Sequence, residues 1–279
     1  MTTDLDLFTA TVHCDGFTAG IEGPSCDADG VLYAVNFGEE GTIGRVTADG
    51  EASVWATLPE GSVGNGIVIS PDGTMYVADY TGHNVLRIDP ESRAITVHAH
   101  QPLMNQPNDL AIRPDGLIFA SDPNWSNGTG QLWRVDRDGS TTVLEADMGT
   151  TNGIEVSPDA ATLYLNETVQ RTVWAYDLAA DGTIDNKRLI HRFADHGLDG
   201  MRCDAEGTLW VARHGKGTVV ALSPDGDVIR EIDLVSGKLC TNVAFGGSDG
   251  RTVHVTVADE GTVERFRTAV PGRAPFPRP

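Results

Sequence analysis

Apolar residues occur along this chain in short runs, and no run shows the spacing of an amphipathic helix. The runs are rich in β-branched and aromatic residues, and Gly, Asp and Pro separate them. This pattern is typical of short strands joined by turns, so it predicts an all-β protein.

The pattern repeats along the chain. NGIVISPDGTMYVAD, NDLAIRPDGLIFASD and DGMRCDAEGTLWVAR are three of six copies, and each passes through a turn with an acidic residue before Gly. The residues that open the copies are 43, 43, 44, 47 and 43 positions apart. They are Glu22, Asn65, Asn108, Asn152, Asp199 and Asn242. A period of about 40 to 50 residues that holds four short strands is typical of a β-propeller blade.

The repeat predicts one domain over residues 1–279, a six-bladed β-propeller whose blades have four antiparallel strands. The predicted blades span residues 20–60, 61–103, 104–147, 148–194, 195–237 and 238–268. Residues 8–14 resemble a strand, and we expect them to supply the outer strand of the last blade and close the ring. The proline-rich tail, residues 269–279, is expected to lie extended along the surface or to be disordered.

Equivalent positions of propeller blades lie at one height around the central channel. The six opening residues should therefore form a ring at one mouth of that channel, and each carries a side-chain oxygen. Glu22 and Asp199 would repel each other there unless a cation lay between them. Carboxylate and amide oxygens are hard ligands that suit Ca²⁺, Mg²⁺ or Mn²⁺ better than Zn²⁺. We expect three or four ring members to reach one divalent cation.

Two structural interpretations of the ring stay open beside the metal site. Asn or Asp before Gly is ordinary turn chemistry, and polar residues also line channels to solvate trapped water. The two carboxylates favour the metal site, because a purely structural ring could consist of Asn or Ser alone.

The residues that end the second strand of each blade should form the wall of a pocket over the ion. They include Asn36, Asp79, Tyr80, Asp122, Asn166, Glu167, Arg213, His214 and Asp259. The longest loop at this level, residues 122–130, carries Trp125, which could stack on a sugar-like ligand or cover the blade edge. His214 could shuttle protons, or it could be a surface residue, since its context HGKG is that of a hairpin tip.

The composition narrows the classes of partner. Acidic residues outnumber basic ones by 40 to 20, which opposes binding to nucleic acid and fits cation binding. The chain shows no apolar stretch of membrane-spanning length and no signal-peptide pattern, so we expect a cytoplasmic protein without a membrane partner. The four cysteines lack CxxC spacing, so thiols are expected and disulfides are the less favoured alternative.

At these residues the chain resembles the regucalcin and gluconolactonase family of six-bladed metal-dependent hydrolases. The matching stretches, spread over residues 20–260, are IEGPSC, QPNDLAIRPDG, TNGIEVSPD, NKRLIHRF, LDGMRCDAEGTLWVA and NVAFGG. The resemblance implies metal ligands at Glu22, Asn152 and Asp199 and a pocket asparagine at Asn108 that contacts substrate or a metal-bound water. Regucalcin-like members carry an arginine where this chain has Gln106, which leaves the substrate preference open.

The function that the resemblance implies is lactone hydrolysis. We expect a lactonase that converts a sugar-acid lactone, of the gluconolactone or pentonolactone type, into the aldonic acid. Asp199 is the candidate catalytic residue, as a general base or as a ligand only, because a bound cation lowers a carboxylate pKa. The predicted substrate-binding residues are Asn108, Asp122, Trp125 and His214. Ca²⁺ is the first candidate for the ion, with Mn²⁺, Zn²⁺, Mg²⁺ and Fe²⁺ as alternatives.

Two other functions stay open. A phosphotriesterase on the same scaffold would need a more aromatic pocket than five Trp and eight Phe, mostly within strands, would provide. A calcium-binding or peptide-binding propeller without catalysis is the third possibility, because a fold does not determine a function.

Overall fold

The computed structural model describes residues 6–273, which form six sheets of four antiparallel strands each. The sheets follow one another around a central channel, so the prediction of a six-bladed β-propeller is confirmed. Residues 6–273 contain no helix, and therefore none that is long and apolar enough to cross a membrane.

The strands follow the predicted repeat. The strand β1 (Thr11–Cys14) precedes the first complete blade. Blade 1 contains β2 (Phe17–Cys26), β3 (Leu32–Phe37), β4 (Thr42–Val46) and β5 (Ala52–Thr57). Blade 2 contains β6 (Gly64–Ile69), β7 (Met75–Asp79), β8 (Asn84–Ile88) and β9 (Ile95–His100). Blade 3 contains β10 (Leu110–Ile112), β11 (Ile118–Asn124), β12 (Thr129–Val135) and β13 (Thr141–Met148).

The second half of the ring has the same organisation. Blade 4 contains β14 (Thr151–Val156), β15 (Thr162–Glu167), β16 (Thr172–Leu178) and β17 (Ile184–Arg192). Blade 5 contains β18 (Met201–Cys203), β19 (Leu209–Arg213), β20 (Thr218–Leu222) and β21 (Val228–Asp233). Blade 6 contains β22 (Cys240–Gly246), β23 (Thr252–Val257) and β24 (Thr262–Arg267), together with β1.

The ring closes through β1, as the sequence predicts. This strand pairs antiparallel with β24 and places Thr11 opposite Arg265 and Cys14 opposite Val263. The regular strand begins at Thr11 rather than at residue 8, because Phe8 has a φ of 62° that a strand does not allow. The Phe8 amide still donates a hydrogen bond to the Arg267 carbonyl, at 2.9 Å.

Burial decreases from the inner to the outer strand of each blade. All six residues of β14 are buried, whereas five of the six residues of β21 are exposed. An inner strand has a neighbouring blade on each face. Its sequence is therefore a continuous run of apolar and small residues rather than an alternation of apolar and polar ones. The core consists of apolar clusters between adjacent blades; one of them packs Val35 of blade 1 against Ile67 and Val77 of blade 2. The four cysteines, all within the residues that the structure describes, are buried between the blades as free thiols and form no disulfide.

Residues 270–273 lie at the end of the channel opposite the predicted ring. The Ala205 amide donates to the Pro271 carbonyl at 2.8 Å, and the Arg273 amide donates to the Cys203 carbonyl at 2.9 Å. The Arg273 side chain is 9 % exposed and is paired with Glu155. This part of the predicted tail is therefore packed onto the propeller; residues 274–279 lie outside the described residues.

Candidate functional site

A pocket of about 320 Å³ lies at one mouth of the channel. Five of the six predicted ring residues line it: Glu22, Asn65, Asn108, Asn152 and Asp199. The sixth, Asn242, is fully buried beside them and donates its Nδ2 hydrogen to Glu22 Oε2 at 3.1 Å. The structure therefore brings the predicted ring together around one space.

The two acids of the ring, Glu22 and Asp199, are buried next to each other. The exposed fractions are 8 % for Glu22 and 9 % for Asp199, and the two carboxyl groups lie within hydrogen-bonding reach. Burial raises the pKa of Asp199 well above its usual range, and the negative charge of Glu22 raises it further. Burial also raises the pKa of Glu22, with Asp109 as the next cause. Two adjacent buried acids resist ionisation unless a positive charge joins them.

Two asparagines add oxygen atoms to the same pocket. Asn152 donates from Nδ2 to Thr168 Oγ1 at 3.1 Å, but its Oδ1 is buried and has no hydrogen-bond partner within residues 6–273. Asn108 Oδ1 is buried in the same way, without a partner in that range. A buried amide oxygen without a partner costs about 1–3 kcal/mol.

The donor set therefore fits a divalent cation. The ring offers two carboxylates and two partnerless amide oxygens, which is the hard oxygen chemistry that such a cation needs. Within the described residues there is no cluster of three His, Cys, Asp or Glu side chains that could hold a metal. The amide oxygens of Asn would have to complete the ligand set here.

The glycines that follow the ring residues allow the inner strands to approach one another. The Gly66 amide donates to the Asn108 carbonyl, and the Gly200 amide to the Thr241 carbonyl, both at 2.7 Å. A Cβ on Gly200 would overlap the Asn242 side chain, and a Cβ on Gly153 would overlap the Asp199 carbonyl oxygen. These three glycines do not have the positive φ that a left-handed turn residue would show. Gly66, Gly153 and Gly200 are therefore close-packing positions, whereas Gly23, which follows Glu22, has a positive φ of 57°.

Asn166 fixes the backbone of Asp199. Its Nδ2 donates to the Asp199 carbonyl oxygen at 2.6 Å, and its own side chain is fully buried. Asn166 was expected on the pocket wall, but the structure places it behind the ring as a positioning residue.

His214 and Trp125 stand on the pocket wall where the sequence predicts them. His214 Nδ1 lies 3.4 Å from Asp199 Oδ2 and 3.2 Å from the Cys240 carbonyl oxygen. Trp125 is 36 % exposed and its side chain is hydrogen-bonded to the phenol of Tyr80, which also lines the pocket. The pocket therefore has an acid–histidine pair on its floor and an aromatic rim.

Asp122, predicted to bind substrate, does not line this pocket. Its carboxylate is fully buried and accepts hydrogen bonds from the backbone amides of Asn105, at 2.8 Å, and Gln106, at 2.7 Å. The Trp133 indole donates a further bond at 3.1 Å. Asp122 therefore holds the loop that leads to Asn108. Asp122 lies inside β11, 14 residues after Asn108, whereas Tyr80 and His214 lie 15 residues after Asn65 and Asp199. Successive strand residues point to opposite faces, so this offset of one position was the signal that the sequence offered.

Two buried ion pairs lie in the channel below the ring, and sequence reasoning missed both. Arg202 contacts Asp109 at 2.9 Å, and Arg273 contacts Glu155 at 2.6 Å. One signal was available: Asp109 occupies the position after a ring residue, where blades 1, 2, 4 and 5 have Gly. A charged residue there, directly before the apolar strand β10, indicates a buried partner.

The family follows from the comparison with known proteins. The family model described as SMP-30/Gluconolactonase/LRE-like region matches residues 21–259. This chain belongs to that family. The match extends from the first blade to the last, so it includes all six ring residues.

Individual relatives are similar over different shares of the chain. A pentonolactonase from Haloferax volcanii is 32 % identical over 241 residues, which cover 85 % of this chain and 81 % of the relative. A gluconolactonase from Zymomonas mobilis is 28 % identical over 73 % of this chain and 63 % of its own length. A calcium-binding protein, regucalcin, from Agrobacterium tumefaciens has the same fold, with a TM-score of 0.83, 24 % identity and 96 % of each chain covered.

Proposed function

We propose that this protein is a sugar lactone lactonase that depends on a divalent cation and hydrolyses the lactone to the aldonic acid. One observation carries the proposal: Glu22, Asp199 and two partnerless amide oxygens converge on one pocket with an aromatic rim. The relatives named pentonolactonase and gluconolactonase support the lactonase activity. The hydrolysed bond is the ester bond of the lactone ring.

The cation would be held by Glu22, Asn152 and Asp199, with Asn108 placed to contact the substrate or a bound water. When bound, it supplies Lewis-acid stabilisation of the negative charge that develops on the lactone carbonyl oxygen. Ca²⁺ is the first candidate because every proposed ligand is an oxygen. Mn²⁺, Mg²⁺, Zn²⁺ and Fe²⁺ are the other ions to compare.

The residues of the chain bind the substrate and move the proton. Asp199 orients the attacking water and is the candidate acceptor of its proton, with His214 at 3.4 Å from its carboxylate. The water oxygen bonds to the carbonyl carbon, the ring C–O bond breaks, and the ring oxygen takes up a proton. Asn108 orients the lactone from the floor, and Trp125 offers a ring face to the sugar carbons.

The proposal is tested by acid release from glucono-1,5-lactone and a panel of pentonolactones, with spontaneous hydrolysis subtracted. The chelated protein is compared with samples that receive Ca²⁺, Mn²⁺, Mg²⁺ or Zn²⁺. We expect chelation to abolish turnover and one ion to restore it. Turnover that survives complete chelation would refute the cation dependence, and no turnover with any ion would refute the lactonase itself.

A matched pair of variants ties the activity to the pocket. Asp199→Asn should lower kcat at least about a hundredfold, the lower end of what a general base contributes. Asp225→Asn makes the same chemical change at an exposed turn of the same blade and should leave the rate unchanged. Equal rates for the two variants would exclude a role of Asp199 in the reaction.

A further inference from the structure

A second depression of about 760 Å³ adjoins the candidate site. Tyr80 and Trp125 line both spaces, so this hydrogen-bonded aromatic pair stands between the pocket and the outer groove. A ligand that extends from the pocket past the aromatic rim would enter the groove. The groove therefore adjoins the candidate site across this pair.

The groove presents amide and hydroxyl groups beside the aromatic rim. Its polar lining includes Asn105, Gln106, Asn124 and Ser126. Amide and hydroxyl groups can both donate and accept hydrogen bonds, as sugar hydroxyls require, and an aromatic face suits the C–H face of a sugar ring.

Hydrogen bonds within the chain hold this lining in place. Asn124 Nδ2 donates to Asn105 Oδ1 at 3.0 Å, and Ser126 Oγ donates to Asn124 Oδ1 at 2.9 Å. Asp122 holds the backbone amides of residues 105 and 106 from below. A lining fixed in this way loses little conformational entropy when a ligand binds.

The charge of the two spaces favours a neutral ligand. Among the described residues that line the pocket and the groove there is no Lys or Arg. The groove contains His83, whose Nδ1 contacts the Met104 carbonyl oxygen at 2.6 Å, and the pocket contains His214. A phosphate or sulfonate in the groove would therefore lack its usual cationic partner. It would also approach a protein whose formal net charge is −20.

From these observations we infer that the outer groove is a subsite for an uncharged, polyhydroxylated extension of the lactone, such as a glycosyl group. The inference rests on the proposed function and deepens it by naming the substrate class. The lactone ring would occupy the inner pocket over Glu22 and Asp199, and the extension would pass Trp125 and lie along Asn124 and Ser126.

The test compares kcat/KM for three lactones under one set of conditions. Glucono-1,5-lactone has no extension, and lactobiono-1,5-lactone carries a neutral galactosyl group. The third substrate, 6-phosphoglucono-1,5-lactone, carries an anionic phosphate group. We expect the galactosyl lactone to match or exceed gluconolactone, and the phosphorylated lactone to be at least about tenfold poorer. A tenfold poorer galactosyl lactone, with gluconolactone still hydrolysed, overturns the inference alone. If no lactone is hydrolysed, the proposed function fails instead.

A substitution in the groove separates the subsite from general effects on the protein. Ser126→Trp places a large side chain in the groove, and Ser140→Trp makes the same change at an exposed turn of the same blade. We expect Ser126→Trp to lower the ratio of kcat/KM for galactosyl lactone over gluconolactone about tenfold. Ser140→Trp should leave this ratio unchanged. An unchanged ratio in a folded Ser126→Trp protein overturns the inference.

Discussion

The guanidinium of Arg202 forms two hydrogen bonds with the Asp109 carboxylate, at 2.9 and 3.1 Å. The two side chains are 13 % and 1 % exposed, and they come from blades 5 and 3, so the pair joins two non-adjacent blades through the channel. Asp109 also raises the pKa of Glu22, whereas the Arg202 charge opposes that rise. The pair therefore holds blades 3 and 5 together below the ring of polar residues, and the positive charge of Arg202 offsets the negative charge of Asp109 there.

Removal of one partner of this pair should be costly. Arg202→Met leaves the Asp109 carboxylate buried beside two other acids, and we expect a loss of about 3–5 kcal/mol in the free energy of unfolding. The double variant Arg202→Met/Asp109→Asn should recover most of that loss, because no unpaired charge remains. Urea unfolding of the two variants and of Asp109→Asn completes the double-mutant cycle. A loss below about 1 kcal/mol for Arg202→Met would contradict a buried, energetically coupled pair.

The ion pair between Arg273 and Glu155 should affect stability without affecting turnover. Arg273→Met leaves the Glu155 carboxylate, which is 4 % exposed, without its cationic partner. The free energy of unfolding should therefore also fall by about 3–5 kcal/mol. Arg137→Met is the control, since Arg137 is 66 % exposed in its 3.2 Å contact with Asp115 and should cost less than about 1 kcal/mol. Both variants should keep the wild-type kcat at a temperature where they are folded. Equal midpoints of unfolding for the two would show that the channel pair adds nothing.

The cation should stabilise the protein more at high pH than at low pH. Burial raises the folded-state pKa of Glu22 and Asp199, so the folded metal-free protein binds more protons than the unfolded chain above about pH 4. The contribution of these two acids to stability should therefore fall as pH rises through that window and on towards neutrality. A divalent cation replaces those protons, so its effect on Tm should grow with pH between 5 and 8. The double variant Glu22→Gln/Asp199→Asn should lose the part of the pH dependence that comes from these acids, and also the shift in Tm with the ion. An ion effect on Tm that survives these changes would place the ion elsewhere.

Gly200→Ala should disturb both the fold and the site. The new methyl group would overlap the Asn242 side chain, which donates a hydrogen bond to Glu22. We expect a loss of about 1–3 kcal/mol or more from overpacking, together with a fall in kcat. Gly61→Ala is the comparison, because its methyl group would meet open space and only the φ of 85° would be strained, at about 1 kcal/mol. If Gly200→Ala lowers the free energy of unfolding and kcat no more than Gly61→Ala does, neither stability nor activity requires the close approach of the inner strands.

Acid should weaken the closure of the ring. His13 of β1 packs beside His254 of β23 with ring centroids 5.3 Å apart and the rings tilted by 41°. Burial lowers the pKa of His254 to about 3 and that of His13 to about 4. A histidine kept neutral in the fold protonates first in the unfolded chain, so the contribution of these two histidines to stability should be lost as pH falls below about 6.5.

The substitution His254→Phe checks this origin of acid sensitivity. The free energy of unfolding of the variant is compared with that of the wild type at pH 8 and at pH 4.5. The difference between them should shift in favour of the variant by on the order of 2 kcal/mol at the lower pH. The exposed residue His100, replaced by Phe, is the control and should show no such gain. Parallel pH dependence for the two variants would assign the acid sensitivity to other groups.

The repeat in the sequence was sufficient to predict the propeller, its closure by the N-terminal strand and the ring of six oxygen-bearing residues. Each of these depends on positions that recur at nearly equal intervals along the sequence. In a closed ring of equivalent blades, such positions lie at the same height along the channel axis. His214 came to the pocket for the same reason, whereas Trp125 came with the long loop of residues 122–130. The roles of ring members in binding a cation or a substrate stay predictions.

The hydrogen-bond partners of buried polar side chains were decided only by the tertiary structure. Asp122 and Asn166 lie 14 residues after their ring residues, one position before the places that Tyr80 and His214 take in their repeats, and both turn inwards to hold backbone groups. Arg202 and Asp109 are 93 residues apart, and only the closed ring brings them together. The sequence determines which positions are equivalent because hydrogen-bonded strand geometry is periodic. Which partner a buried polar group finds depends on distances across the channel, and these exist only after the blades have packed.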